Sequence, residues 1–437
     1  MQTRTTMHQI FTQTLLRKIT AVIFVATVTL AAAITGCGSD TNTSEDVINE
    51  KLGVVRVAPG EAIQIRSLNA LSGDSAFLGI GNQRGVEIAI ADYGEIKGFS
   101  VDLGTGVDGL CAADSGQAAA QTIVAEEQVV GVIGPSCSVT ATASAPLITA
   151  AGMVMIAPSN TSPSLTSDLQ GNPGDNHSPG YFRTAHNDLF QGLVVADFLY
   201  NEMGFRVAAT IHDGDPYSQG LATAFADAFE ALGGAVHSGR VNKEDTNMEP
   251  TLIKLAAYKP DALFFPVFRP VGDFIAEQAR GIAGLESTRL ISAPSLGDDF
   301  MRLPQSEGMF FSGPDTRLGT NQNQATGSTA EEVLADYISR YGEEPSSPYW
   351  AHSYDATTML LDAIAASSTI GEDGLLTIDR AEVRNRLYAT SNYKGLIGTL
   401  SCDEFGDCGA QRLIILEHEN PETPEISKDN IVFEYAP

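Results

Sequence analysis

Three short hydroxyl-bearing stretches carry most of the chemistry this sequence can do. Ser72-Gly73, Ser136-Cys137-Ser138 and Ser159-Asn160-Thr161 each follow an apolar run. Hydroxyls and free backbone N–H groups at a helix start can hold a carboxylate without a cationic side chain. Any one of these stretches reads equally as a helix N-cap, a role Ser and Thr favour. Three of them at successive strand ends shift the reading toward a binding site, because ligands of open α/β sheets bind beyond the carboxyl ends of the strands.

No catalytic set accompanies them. None of the seven His falls in a metal-ligating spacing, so no metal is expected. No Gly-x-Ser-x-Gly elbow occurs; Ser136, in GPSCS, lacks the second glycine. His212-Asp213-Gly214-Asp215 stands at a strand end but reads equally as an Asp-capped turn. Gly79, Gly81 and Gly85 in GIGNQRG only approach the dinucleotide fingerprint, and no phosphate-loop lysine follows, so no cofactor is expected. The residues describe a binder, not an enzyme.

The elements that must position these groups alternate strand and helix. Strands are read at 62–68, 99–103, 129–134 and 153–158, with helices at 82–93 and 115–127 between them. VVGVIG (129–134) is a continuous apolar run, as suits a strand buried on both faces. After Arg183 the rhythm restarts. Helices at 188–203, 218–232 and 272–282 alternate with strands at 206–212, 235–241, 261–267 and 289–293. Two such series imply an α/β protein of two Rossmann-like lobes, each a mostly parallel sheet with helices on both faces. Helices at 329–341, 353–366 and 379–388 and short strands near 397–401, 411–417 and 430–435 return to complete those lobes.

Composition limits the partners. Of 437 residues, 43% are hydrophobic and 18% charged, which excludes a disordered or coiled-coil chain. The 26 Lys+Arg against 54 Asp+Glu leave a net charge of −28. Nucleic acid is excluded as a partner, since phosphate binding needs a basic face.

The first 36 residues carry Arg4, Arg17 and Lys18, then an uncharged run from Ile19 to Thr35, the layout of an export signal. That run also lies at the lower edge of a membrane span. Ile34-Thr35-Gly36-Cys37 resembles the lipobox of bacterial lipoproteins, in which the Cys becomes the lipidated first residue. This implies a signal peptide over 1–36, lipidation at Cys37, a flexible tether over 37–60, and an exported protein lipid-anchored to the membrane and facing the periplasm or cell exterior.

The stretch VVGVIGPSCSVTATASAPLITAAGMVMIAPSNTSPSLT (129–166) resembles the first lobe of the type I periplasmic binding proteins. The leucine/isoleucine/valine-binding receptors of ABC transporters are the nearest group. NALSGDSAFLGIGNQRGVEIAIAD (69–92), YFRTAHNDLFQG (181–192), IHDGDPYSQGLATAFADAFEALGG (211–234) and SYDATTMLLDAI (353–364) support the resemblance. It implies two lobes joined by three hinge crossovers, near Arg183–Asn187, Pro314–Leu318 and Tyr393–Gly398. Lobe 1 would hold 61–186 and 317–396, and lobe 2 187–316 and 397–437. An amino acid or related small carboxylate would bind between them, and a monomer would deliver it to a membrane permease. A ligand-sensing regulatory lipoprotein of the same fold is the alternative.

The resemblance also assigns roles. Ser138 corresponds to the serine that binds the ligand carboxylate. Ser159 and Thr161 correspond to the pair offering a backbone group and a hydroxyl, and Tyr217 and Phe268 to cleft aromatics. Trp350 falls close to a side-chain pocket residue, with the alignment slipping by one. The acid that pairs with the ligand ammonium corresponds to Ser295, leaving Asp298 or Asp299 as substitutes, and a first-lobe tyrosine corresponds to Leu78. A disulfide between Cys111 and Cys137 is implied by the family. Cys402 and Cys408 flank DEFGD, a turn across which they can pair.

Overall fold

Strands in both lobes are apolar on both sides, as sheets covered by helices on each face require. The computed structural model describes residues 52–436. The export segment and Cys37 lie outside the described residues, as does most of the tether. The first series is β1 (Val54–Val57), β2 (Ile63–Asn69), α1 (Ala76–Tyr93), β3 (Val101–Asp102), β4 (Val107–Asp108), α2 (Ala113–Val124), β5 (Val129–Ile133), α3 (Ser138–Ala150), β6 (Val154–Ala157) and β7 (Tyr181–Arg183). Its sheet runs β3-β2-β5-β6-β7, all parallel, with β4 also on β2. Along β6, Val154 and Ile156 enter the core on one face while Met155 and Ala157 enter the core on the other.

The second series is α4 (Asp188–Asp197), β8 (Val207–His212), α5 (Pro216–Ala231), β9 (Ala235–Arg240), α6 (Glu249–Ala256), β10 (Ala262–Phe264), α7 (Val271–Ala279), β11 (Arg289–Ser292) and β12 (Met309–Pro314). The chain then returns to lobe 1 through α8 (Ala330–Tyr341), α9 (Trp350–Ala366), β13 (Ser368–Ile370), β14 (Leu376–Asp379), α10 (Arg380–Tyr388), β15 (Tyr393–Gly395) and β16 (Gly398–Leu400). It ends in lobe 2 with β17 (Leu413–His418), α11 (Pro424–Ser427) and β18 (Ile431–Tyr435). The lobe 2 sheet runs β18-β17-β12-β11-β10-β8-β9, with only β17 and β18 antiparallel to their neighbours.

The GIGNQRG glycines serve packing. A Cβ at Gly79 would stand 1.9 Å from the Ala70 carbonyl oxygen, and one at Gly85 2.3 Å from that of Trp350. Only glycine lets α1 lie this close to the end of β2 and to α9. The α9 helix is itself buried from Trp350 to Leu361, as befits an element with no solvent face.

Two sequence readings are corrected. The end of the tether is structured: Val54–Val57 pairs antiparallel with Leu376–Asp379, burying Val55 and Val57. The third crossing lies later than Tyr393–Gly398, so residues from 397 to Cys408 belong to lobe 1, not lobe 2. Leu396, Ile397, Leu400 and Cys408 are part of the lobe 1 core. The buried Asp355 carboxylate accepts the Leu396 and Ile397 N–H groups at 2.9 and 3.0 Å. The chain therefore crosses between lobes at 184–187, 315–317 and 409–412.

The first and third crossings are clamped together. Arg183, fully buried, pairs with Asp407 and donates to the Ser162 carbonyl at 2.9 Å. Asn187 Nδ2 donates to Asp407 at 3.0 Å, and a Cys402–Cys408 disulfide closes the turn that carries Asp407.

Candidate functional site

The carboxyl ends of β5 and β6 in lobe 1 face those of β8, β10 and β11 in lobe 2. Ser136, Ser138, Ser159, Leu78 and Tyr349 from lobe 1 and Tyr217, Phe268 and Ser295 from lobe 2 enclose a cavity of about 20 Å³. That is room for about one water. The Tyr217 and Phe268 rings stand 5.3 Å apart and form its lobe 2 wall.

Not every hydroxyl in this wall is free. Ser136 Oγ donates to Asn69 Oδ1 at 2.9 Å and accepts from Asn82 Nδ2 at 3.2 Å. Ser159 Oγ donates to the Ser136 carbonyl at 3.0 Å and accepts from Asn82 at 2.8 Å. These bonds fix the two loops against α1 and occupy the Ser159 hydroxyl on both its donor and acceptor sides. Ser138 opens α3, and its Oγ accepts the Ser162 N–H at 3.3 Å. The Cys111–Cys137 disulfide holds the residue just before it. Ser72 is absent from this wall, because its hydroxyl bonds Asp108 at 2.6 Å on the exposed side.

Thr161 lies just behind the wall, buried, and its Oγ1 makes no hydrogen bond of good geometry. Beside it the sequence reading overlooked Asp188. This first residue of α4 is fully buried, and neither carboxylate oxygen has a hydrogen bond of good geometry. Burial pushes its carboxyl up to about 7, against smaller lowering effects of the Thr161 hydroxyl and the Arg183 guanidinium. The Tyr217 and Tyr349 hydroxyls are pushed up chiefly by burial and secondarily by this carboxylate. The four groups are thus buried close enough to perturb one another.

Other expected residues fall elsewhere. Ser295 Oγ is engaged with the Val267 carbonyl at 2.9 Å. Asp298 is half exposed and paired with Lys428 at 2.8 Å, outside the polar cleft, and Asp299 points to solvent. Neither reaches the groups around Thr161. Tyr349, one residue before Trp350, lines the polar cleft, while Trp350 does not. The His212–Asp215 turn is a helix cap: Asp215 accepts the Tyr217 N–H at 2.9 Å, and Lys243 neutralises it. Among the described residues no cluster suits a metal ion, and no helix is long and apolar enough to cross a membrane.

Two α/β lobes with three crossings and a polar cleft between them describe an architecture, and the family model for periplasmic binding proteins matches residues 62–409. The chain belongs to the periplasmic binding protein family. Members of this family are extracytoplasmic solute binders, not enzymes. Leu/Ile/Val-binding protein homolog 3 of Brucella melitensis is 26% identical to this periplasmic binding protein over 367 residues, covering 82% of this chain and 92% of the relative. The Leu/Ile/Val-binding protein of Escherichia coli K12 is 24% identical over 369 residues, with 82% and 90% covered. Among solved structures, a leucine-binding protein from Thermotoga maritima aligns with a TM-score of 0.70 at 24% identity, covering 82% of this chain and 96% of that one. A solute-binding protein from R. palustris in complex with benzoate aligns with a TM-score of 0.66 at 17% identity, with 82% and 94% covered.

Proposed function

We propose that this periplasmic binding protein captures a small amino acid in its zwitterionic form and delivers it, as a monomer, to the permease of an ABC transporter. The observation that carries the reading is the juxtaposition of Thr161 with Asp188: a hydroxyl and a carboxylate, both buried and neither making a hydrogen bond of good geometry outside the pair, beside Ser138 at the start of α3. Buried polar groups left unpaired are costly, so such a pair is arranged for an incoming donor or charge. The ligand carboxylate meets the Ser138 hydroxyl and the N-terminus of α3. The ammonium meets Asp188, Thr161 and the Ser159 backbone. Asp188 thereby takes the part that Ser295 cannot.

A cavity of about 20 Å³ does not hold an amino acid. Entry requires the lobes to part about the three crossings and close again, a hinge motion. Leu/Ile/Val-binding relatives support an aliphatic side chain for the ligand, and the benzoate-bound neighbour marks the competing class, aromatic carboxylates without an ammonium. Anchoring through Cys37 follows from the lipobox resemblance; Cys37→Ala should release the protein from membranes, and its retention after alkaline washing would favour an uncleaved span.

Thermal-shift measurements with leucine, valine, alanine, phenylalanine and benzoate test the ligand class, since a ligand of the native state raises Tm. Stabilisation by at least one amino acid and not by benzoate is expected. Stabilisation by benzoate alone would defeat the ammonium half of the site, and no shift with any of the five would defeat the reading.

A further inference from the structure

Beside the polar cleft, and also between the lobes, lies a larger cavity of about 300 Å³. We propose that it is a second binding site, for an apolar molecule one or two aromatic rings in size that bears a basic nitrogen and no carboxylate. Its walls come from both lobes: Pro294, Met301, Phe311 and Leu416 on one side, Leu334 and Trp350 on the other.

The two cavities share a partition. Pro294 lines both, and at the start of α9 Tyr349 faces the polar cleft while Trp350 faces the larger space. None of Ser138, Ser159, Thr161 and Asp188 lines the larger cavity. A molecule seated there therefore lacks the groups that would recognise an amino acid backbone, and its binding must come from burying apolar surface. An apolar cavity of ~150 Å³ can hold a benzene molecule, which sets the occupant at roughly one or two rings.

Charge at the rim selects the polar end. Asp298, Glu344 and Lys428 border the opening, and the one base is already paired with Asp298 at 2.8 Å. Glu344 leaves the rim with an excess negative charge. An anionic ligand finds no free cation there, whereas a basic nitrogen meets Glu344 and the Trp350 ring face, to which cations are attracted. Because both lobes supply walls, an occupant favours the lobe arrangement described above.

Trp350 is the only tryptophan in the chain, so its emission reads the occupancy of this cavity directly. Titration of the intact protein with 2-phenylethylamine should change that emission saturably, equally in the unmodified protein and in Thr161→Ala. Leu416→Phe, which fills the cavity from β17, should weaken the response at least tenfold. Leu334→Phe fills it from α8 in case the sheet variant fails to fold, with circular dichroism checking both. 3-Phenylpropionate, with a similar ring and an anionic end, should bind at least tenfold more weakly than the amine. The proposal is overturned by an absence of any saturable change, by equal binding of the two probes, or by a response that Thr161→Ala abolishes and folded filling variants leave intact.

Discussion

The backbone N–H of Asp188 donates to the Thr161 carbonyl across 3.0 Å, tying the start of α4 in lobe 2 to the loop after β6 in lobe 1. This one bond brings together two of the buried side chains without hydrogen bonds of good geometry. On the proposed reading the first crossing would serve as both hinge and binding wall, its residues answering to ligand as well as to lobe position.

Asp188 should govern a pH dependence. Its carboxyl titrates near 7 in the ligand-free fold against a usual 3.8, so it favours the protonated state there. The stability this contributes is full below about pH 3.8 and is lost as pH rises through 7. An ammonium requires the ionised form, so affinity for an amino acid should fall as pH drops below about 7, by up to ~tenfold per unit. Asp188→Asn should raise the ligand-free Tm at pH 8, on the order of a few degrees, and flatten the pH profile of binding in calorimetry.

Thr161→Ala should weaken binding by about 1.5–3 kcal/mol, the worth of a hydrogen bond to a charged group, or roughly tenfold to a hundredfold. Since Thr161 Oγ1 makes no hydrogen bond of good geometry in this fold, the ligand-free Tm should change little. Ser138→Ala should act in the same direction. If Ser138→Ala binds as tightly as the unmodified protein, the carboxylate assignment fails; if Thr161→Ala does, its place beside the ammonium fails.

Asp407→Ala removes the partner of a fully buried guanidinium. An uncompensated buried charge costs about 3–5 kcal/mol, which denaturant unfolding would read as a lowered midpoint. A change below about 1 kcal/mol would show that Arg183 finds other acceptors.

Cys111 and Cys137 are 26 residues apart, and their bridge should contribute about 2–4 kcal/mol. Apart from Cys37, thiol titration of the unfolded, unreduced protein should find no free cysteine. Reduction should lower Tm and, because Cys137 precedes Ser138, weaken ligand binding as well.

The strand–helix alternation was readable because each strand of the parallel sheets is a short apolar run with a helix of clear period beside it. β1 was not, since four residues, Val54–Val57, gain their place only by pairing with Leu376–Asp379, far along the chain. The third crossing was misplaced for a similar reason: Tyr393–Gly398 looks like a loop, and only the Asp355 carboxylate and the lobe 1 core reveal it as packed. Within the site, Ser138, Ser159 and Thr161 follow apolar runs and announce themselves. Asp188 does not, because an acid one residue after the Asn187 N-cap looks like an ordinary complement to the helix dipole. Nothing local distinguishes it from a surface acid until Thr161, Tyr217 and Tyr349 close around it.

The interleaving of the two lobes along the chain constrains the order in which the protein can be made. The helix that fills the middle of lobe 1, α9, begins about 190 residues after β6 ends, a delay of roughly 10–40 s at a synthesis rate of about 5–20 residues per second. Throughout that interval β5 and β6 lack the α9 cover on one face. The nascent first lobe is thus obliged to wait, unfolded or sheltered by a holdase, while the second lobe is synthesised. A chain cut short before Trp350 should yield no stable first lobe, however complete its sheet.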